Sequence, residues 1–338
     1  MATSMRRWIQ ILGGPINTAS GRNLSSNEAE AVFTQLLDGE GSDAQVASIF
    51  LAIRGRGVSA DELVGFAKAA RKRVNFPTLP RHAVVVATTR LGKFDHPPLG
   101  LAAAAAAATA GAQVALQAVP QVRGGGITLG GLWQALRGEH CLNGETSDVT
   151  LNDSLTCWCP SKLDPGWERL MRIEAEVGLR SIPDQVSKLL LPDNAPLMVP
   201  SLKGPVLGMA SDAIASLGHN RAAIVQGVEA SIDPFCAERT RGMWIDEGFK
   251  SPLRLQPDDY GLQWHQEPSP RHSCGIESAK EATARALMGI SPEVNTALLG
   301  ASIMLVLAGV TKDFAQGVGA ARDAIESGKA YRQVFDVP

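Results

Sequence analysis

The feature that most constrains the fold is an alanine-rich segment with a short apolar run on each side. Eight of the twelve residues from 99 to 110 are alanine, and the runs "AVVVA" (83–87) and "AQVAL" (112–116) flank them. Short apolar runs are typical of buried strands, and a helix of small side chains can lie close against a sheet. The segment therefore predicts a strand, a helix and a second, parallel strand. The loop after the first strand (residues 88–98) then lies at the edge where open α/β sheets bind ligands.

The same alternation continues further along the chain. The runs "PLMVP" (196–200) and "RAAIVQG" (221–227) read as strands on either side of a helix around residues 209–217, and the last sixty residues, from Gly275, have helical periodicity. Strands that alternate with helices indicate a mainly parallel central sheet covered on both faces. We therefore predict a large α/β domain over residues 81–338.

The first 76 residues have a different pattern. The segments 25–28, 42–45 and 59–62 each read Ser-x-x-Glu or Ser-x-x-Gln, and apolar residues follow each of them at helical spacing. Such segments are capping boxes, in which the serine and the acid or amide satisfy backbone N–H groups at a helix start. The prolines of "NFPTLPRH" (75–82) then stop the helical pattern. This predicts a small all-helical domain over residues 1–76.

Charge is unevenly distributed along the 338 residues. Residues 1–137 hold 14 Lys and Arg against 8 Asp and Glu, a net charge of +6, whereas the remainder carries −8. This asymmetry fits an anionic partner for the first half, or a basic surface and nothing more. No run reaches the ~18 apolar residues of a membrane span. No signal-peptide cleavage pattern follows the start of the chain, so we expect a cytoplasmic protein that does not bind membranes.

Cysteine usage gives little support for disulfides or a metal centre. Five cysteines in a chain of this length do not suggest a disulfide framework. Cys157 and Cys159 could begin a metal site, but no second Cys or His pair follows at zinc spacing. We therefore predict no bound metal.

Segments near both ends of the chain resemble one family. Residues 21–73, from "GRNLSSNEAEAVF" to "GFAKAARKR", are similar to the helical domain of anthranilate phosphoribosyltransferases and related nucleoside phosphorylases. "PDDYGL" (257–262), "NTALLGASIMLVLAG" (295–309) and "AARDAIESGKA" (320–330) are similar to the family's C-terminal segment. The resemblance implies that helices from 165–192 join the helical domain and that substrates bind in a cleft between the domains. It also implies a homodimer formed through the helical domains.

The loop at 88–98 departs from the family pattern. In the family, this strand ends in Gly-Thr-Gly-Gly-Asp, whose glycines let backbone amides approach the diphosphate of phosphoribosyl pyrophosphate. Here the loop reads "TTRLGKFDHPP", with the single glycine Gly92 and two prolines that have no N–H to donate. The family's adjacent Asp-Glu pair, which holds magnesium, is also missing, since "VEASIDPF" has only the separated Glu229 and Asp233. The chain is thus identified with a diverged bacterial branch of the family that lacks the phosphate motifs, and we expect no cofactor and doubt a magnesium site.

Cations remain as candidate anion ligands. Arg123 precedes a glycine run (124–126) that reads either as a phosphate-binding element or as a flexible turn. Arg180 matches a family arginine that faces the aromatic acid, and it either retains an anion or caps a helix junction. The full candidate set for the anion is Thr88, Arg90, Lys93, His96, Arg123, Arg180 and Lys188.

Nucleic-acid binding has been proposed within the diverged branch. The candidates for such binding are Arg54, Arg56, Arg71, Lys72 and Arg73. Cations at helix C-termini are also expected from the helix dipole alone, and base-stacking aromatic residues are scarce near them.

Three functions are open on this evidence. The first is a family protein without phosphoribosyl transfer that binds an anion, either single-stranded nucleic acid or a small phosphorylated ligand. The second is an active phosphoribosyl or glycosyl transferase with altered substrate contacts. The third is a structural or partner-binding pseudoenzyme, and the fold alone does not choose among the three.

Overall fold

The protein divides into two compact units. The first consists of residues 1–76, 160–191 and 212–217, and the second of residues 77–159, 192–211 and 218–338. Residues 212–217 thus join the helical unit, although their sequence predicted part of the α/β domain. The structure is a computed structural model, and it describes residues 4–15, 21–74, 76, 83–117, 119, 125–138, 154–159, 164–191, 194–204, 206–270 and 274–335.

The first unit is helical. Its helices are α1 (Met5–Gly13), α2 (Ser26–Leu37), α3 (Asp43–Arg56), α4 (Ala60–Arg71), α7 (Pro165–Val177) and α8 (Ile182–Ser187). The three capping boxes open α2, α3 and α4, with the serine side chain and the acid or amide three residues later both bonded to backbone N–H groups.

Aromatic packing forms the centre of the first unit. The ring centroid of Phe33 lies 5.4 Å from that of Phe66 and 5.7 Å from that of Trp167. All three side chains are fully buried. Trp167 belongs to α7, so the helix that follows residue 160 shares a core with the N-terminal helices.

The second unit is built on a seven-stranded sheet with the order β3-β2-β1-β4-β5-β6-β7. The strands are β1 (Ala83–Val86), β2 (Gln113–Gln117), β3 (Leu155–Trp158), β4 (Leu197–Pro200), β5 (Ala222–Gln226), β6 (Thr240–Asp246) and β7 (Phe249–Leu255). Neighbours from β3 to β5 are parallel, whereas β6 and β7 are antiparallel. The predicted fold class, a helical N-terminal part and an α/β part with a mainly parallel sheet, is confirmed.

Helices of the second unit pack around the alanine-rich segment. They are α5 (Gly100–Thr109), α6 (Leu129–Arg137), α10 (Ile276–Leu287), α11 (Glu293–Leu307), α12 (Phe314–Glu326) and α13 (Lys329–Phe335), while α9 (Val206–Ser216) spans the boundary between the units. Helix α5 contacts α11, α12 and α13. The predicted role of the alanines agrees with this packing, because residues 102–107 are at most 2% exposed.

Two sequence interpretations concern cysteines and membranes. Cys157 lies in β3 and Cys159 directly after it, and both side chains are buried. Within the described ranges, every helix is too short or too polar to cross a membrane.

Candidate functional site

The loop after β1 (residues 88–98, the β1 loop) meets the turn after β5 (residues 227–233, the β5 turn). The Glu229 carboxylate accepts hydrogen bonds from three consecutive backbone N–H groups: Phe94 at 2.7 Å, Asp95 at 3.1 Å and His96 at 2.8 Å. The His96 Nδ1 atom lies 2.9 Å from the same carboxylate. The β1 loop therefore forms an anion-binding nest, and the anion in it is a side chain of the protein itself.

The turn that carries Glu229 has an uncommon backbone. Glu229 has φ 53° and Ala230 has φ 55°, both in the left-handed region that non-glycine residues rarely adopt. Such conformations cost about 1–3 kcal/mol each and persist only where surrounding contacts hold them. Here the contacts are the hydrogen bonds that the Glu229 carboxylate accepts from the β1 loop.

Electrostatics keep the Glu229 carboxylate ionised. Burial raises the pKa of Glu229, but hydrogen bonds from the Phe94 N–H and from His96 outweigh this effect, with a smaller contribution from the charge of Lys93. The pKa of Glu229 therefore lies below its ordinary value, and the group is a full negative charge at neutral pH.

A second carboxylate holds the only lysine of the β1 loop. The Lys93 Nζ atom lies 2.9 Å from Oδ2 of Asp233, and both side chains are 3% exposed. The same oxygen accepts the backbone N–H of Leu99 at 3.0 Å, and Lys93 also donates to the Pro97 carbonyl at 3.1 Å. The charge of Lys93 is thus matched inside the protein, in a pair whose separation would leave a buried charge uncompensated.

Two glycines let the β1 loop pack against the chain before α6. Lys93 pairs with Ile127 in an antiparallel bridge, with N–H···O distances of 3.0 and 2.7 Å. A Cβ on Gly92 would lie 2.4 Å from the Gly126 carbonyl oxygen, and one on Gly126 would lie 2.2 Å from the Lys93 carbonyl oxygen. Gly92 and Gly126 therefore serve a close backbone approach.

Little space remains between these elements. The cavity bounded by the β1 loop, the start of α6 and the β5 turn measures about 10 Å³, and its lining includes Thr88, Gly92, Thr128 and Ser231. A volume of about 10–15 Å³ is needed for one water molecule. A diphosphate cannot occupy this place unless the β1 loop or the β5 turn moves.

Comparison with known proteins agrees with the resemblance seen in the sequence. Residues 17–74 match the model of a glycosyl transferase family, helical bundle domain. The chain is 25% identical over 339 aligned positions to the anthranilate phosphoribosyltransferase of Methanothermobacter marburgensis, covering 93% of this chain and 94% of that protein. It is 27% identical to the corresponding protein of Novosphingobium aromaticivorans, with 91% and 93% covered. The chain is thus similar to anthranilate phosphoribosyltransferases over more than nine-tenths of its length.

Solved structures of this family share the fold. The anthranilate phosphoribosyltransferase of Thermus thermophilus has a TM-score of 0.78 with 21% identity, and the match covers 98% of this chain and 97% of that one. The Saccharomyces cerevisiae enzyme in complex with PRPP and Mg has a TM-score of 0.79 with 16% identity, covering 98% and 96%.

The predicted anion ligands of the family's phosphate loop are mostly buried. The Thr88 hydroxyl donates to the Gln117 carbonyl at 2.8 Å, and Arg90 is 4% exposed. Lys93 contacts the carboxylate of Asp233, and His96 contacts the carboxylate of Glu229. Arg123 lies outside the described residues.

The other two candidates belong to the first unit. Arg180 is half-buried and follows the end of α7, and it forms no hydrogen bond or ion pair with another described residue. Lys188 pairs with Asp184 at 3.1 Å. The anion-binding role of Arg180 stays a prediction.

Most residues predicted to bind nucleic acid form ion pairs or hydrogen bonds with other residues of the helical unit. Arg56 pairs with the buried Glu62 at 2.7 Å, and Arg71 donates to the Leu189 carbonyl at 2.9 Å. Further pairs are Lys72 with Glu30, and Arg73 with Asp38 and Asp164. Arg54, in the last turn of α3, is exposed and forms no hydrogen bond or ion pair with another described residue.

The carboxylates of Glu229 and Asp233 are already engaged by other groups of the protein. Both oxygens of Glu229 accept N–H groups, and Oδ2 of Asp233 accepts from Lys93 and Leu99. Magnesium needs oxygen ligands that are available to it, in a nearly octahedral arrangement. In the part of the chain that the structure describes, no group of three or more His, Cys, Asp or Glu residues could hold a metal ion.

Proposed function

We propose that this member of the family does not transfer phosphoribosyl groups to anthranilate, and that it binds an anionic ligand, either a phosphorylated metabolite or single-stranded nucleic acid. The loss of phosphoribosyl transfer is supported by one observation: the Glu229 carboxylate accepts hydrogen bonds from the backbone N–H groups of residues 94–96. These donors follow the strand whose loop holds the diphosphate in the family motif described above.

The physical reason is competition for the same donors. Transfer from phosphoribosyl pyrophosphate requires stabilisation of a leaving diphosphate, which is usually supplied by preorganised N–H groups, cations or a metal ion. Here a diphosphate would have to displace Glu229, and it would approach Asp233 as well, so two negative charges oppose it. The only lysine of the β1 loop is already paired with Asp233. We therefore propose that the protein uses neither phosphoribosyl pyrophosphate nor magnesium at this place.

Anion binding is supported by charge. Residues 1–137 carry a net charge of +6. Arg54 and Arg180 are cations that have no hydrogen bond or ion pair with another described residue. Binding that depends on such side chains is driven by phosphate contacts, is insensitive to sequence and weakens with salt.

An active transferase with altered substrate contacts is the second candidate. Similarity to anthranilate phosphoribosyltransferases over more than nine-tenths of the chain favours it. It requires that the β1 loop and Glu229 separate when substrate binds.

Thermal unfolding with and without ligand tests the proposal. A ligand at about 100 times its dissociation constant stabilises the native state by about 2.7 kcal/mol, which raises the midpoint by several degrees. We expect no change with phosphoribosyl pyrophosphate and Mg²⁺. A single-stranded oligonucleotide or a phosphorylated metabolite should raise the midpoint at low salt.

The Glu229→Ala variant provides a matched comparison. Removal of the carboxylate exposes the loop N–H groups to an external anion, so phosphoribosyl pyrophosphate should stabilise this variant more than the wild type. A magnesium-dependent stabilisation of the wild type by phosphoribosyl pyrophosphate would contradict the loss of transfer. Absence of stabilisation by any phosphate-bearing compound would contradict anion binding.

A further inference from the structure

Three strands at the antiparallel end of the sheet place polar side chains in one row. In the strand register, Gln226 of β5 lies opposite Arg241 of β6, and Arg241 lies opposite Arg254 of β7. Side chains at directly opposed positions project from the same face of a sheet. Two arginines are therefore neighbours across the β6–β7 pair, and like charges at directly opposed positions destabilise a sheet.

This row borders a cleft, which we call the basic cleft, lined by Lys203, Gln226, Phe235, Arg239, Arg241 and Gln256. Its volume is about 590 Å³. Sites for small molecules typically measure about 300–1,000 Å³. The basic cleft lies beside the carboxyl ends of β4 and β5, and it shares none of its lining residues with the β1 loop.

The cations of the basic cleft are available to a ligand. Arg239 and Arg241 form no hydrogen bond or ion pair with another residue that the structure describes, and both are exposed. Lys203 pairs with Glu238 at 3.1 Å, but the two side chains are 66% and 59% exposed, so this pair is weak. Including Glu238, the lining has three positive charges and one negative charge.

An aromatic ring and two amides accompany the charges. The Lys203 Nζ atom lies 4.4 Å from the centroid of the Phe235 ring, a cation–π contact. The amide of Gln226 is nearly buried, with its nitrogen donating to the Leu202 carbonyl at 2.8 Å, and Gln256 is half-buried. Guanidinium groups bind phosphate through paired hydrogen bonds, while an aromatic face and amides suit the organic part of a ligand.

We infer that the basic cleft binds a small phosphate ester, with its phosphate on Arg239 and Arg241 and its organic group against Phe235. The inference rests on the proposed function for the kind of ligand, an anion. It adds a location for that anion in the second unit. A cleft of this size with a single aromatic ring favours a small molecule over a nucleic-acid strand, which needs an extended track with several stacking rings.

Calorimetric titration of the full chain with adenosine monophosphate tests the inference. We expect saturable binding of one molecule per chain at low salt, tighter than the binding of inorganic phosphate because of the contact with Phe235. Arg241→Gln should weaken binding about tenfold or more, since it removes a hydrogen bond to a charged group. Arg322→Gln changes an exposed arginine of α12 in the same way, and it should bind as the wild type does.

The outcomes separate this inference from the proposed function. Equal affinities of the wild type and Arg241→Gln would overturn the basic cleft as the site but leave anion binding elsewhere intact. Absence of binding of both compounds by a wild type with a normal unfolding transition would also overturn it. If an oligonucleotide binds through Arg241 and adenosine monophosphate does not, the small-ligand assignment is wrong. Stabilisation by phosphoribosyl pyrophosphate and Mg²⁺ that is unchanged in Arg241→Gln would contradict the proposed function alone.

Discussion

Replacement of Glu229 by glutamine should release the β1 loop from the β5 turn. The carboxylate accepts three backbone N–H groups. Hydrogen bonds to charged groups contribute about 1.5–3 kcal/mol each when buried. Phe94 is 49% exposed and water reaches Asp95, so we take about 1 kcal/mol for each bond. Glutamine keeps one acceptor oxygen, and the expected loss in local stability is therefore about 2 kcal/mol.

Native-state hydrogen exchange measures this loss at the site itself. A change of about 2 kcal/mol corresponds to a roughly 30-fold faster exchange of the amides at 94–96 in Glu229→Gln. The effect depends on pH because the pKa of Glu229 is lower in the folded protein than its ordinary value. The stabilisation is complete above the unfolded pKa of about 4.3 and is lost as the pH falls through the folded pKa.

Glu326→Gln is the control, since Glu326 is exposed at the end of α12. It should leave the exchange of 94–96 unchanged. Equal exchange rates at 94–96 in the wild type and Glu229→Gln at pH 7 would refute the anchoring of the β1 loop by this carboxylate.

Three further predictions concern the loop and the assembly. Lys93→Met alone should destabilise the protein by about 3–5 kcal/mol in chemical denaturation, because it leaves Asp233 buried without its partner. Adding Asp233→Asn should restore part of this loss. A Lys93→Met variant that is as stable as the wild type and only binds anions less tightly would contradict the pairing. Gly126→Ala should lower the midpoint of thermal unfolding, because its Cβ would lie 2.2 Å from the Lys93 carbonyl oxygen. A midpoint equal to that of the wild type would show that the β1 loop has room to move. The predicted dimer should have a mass by light scattering of about twice 35.7 kDa. If the helical unit forms the interface, Leu51→Asp, which changes an exposed leucine of α3, should yield the monomer. A wild type that is monomeric at micromolar concentration would contradict the dimer.

Much of the fold was predictable because its signals are local. The capping boxes depend on residues three apart, and the buried strands β1, β2, β4 and β5 are short, mainly apolar runs. The β6–β7 hairpin was missed, since β6 mixes apolar and polar residues, and β7 is largely exposed and contains Pro252. The pair Glu247-Gly248, with φ of 48° and 82°, is a two-residue hairpin signal that could have located it.

The candidate site was less predictable because its partners are distant in sequence. The loss of glycines in the β1 loop was visible, and so were the carboxylates Glu229 and Asp233. Nothing local indicates that Glu229 accepts hydrogen bonds from residues more than 130 positions earlier, or that Lys93 is buried against Asp233. The cations of the loop were therefore predicted as ligands for an external anion, a role that stays a prediction, whereas in the structure Lys93 and His96 contact internal carboxylates.

Anthranilate consumption tests the central claim most directly. Anthranilate is fluorescent, so its loss in the presence of phosphoribosyl pyrophosphate and Mg²⁺ can be followed continuously, with the Thermus thermophilus enzyme assayed alongside as the positive control. Because the Glu229 carboxylate occupies the N–H groups of the β1 loop, we predict that this protein causes no loss of fluorescence that depends on phosphoribosyl pyrophosphate. Turnover within the range of about 1–10³ s⁻¹ that is usual for enzymes would contradict the account.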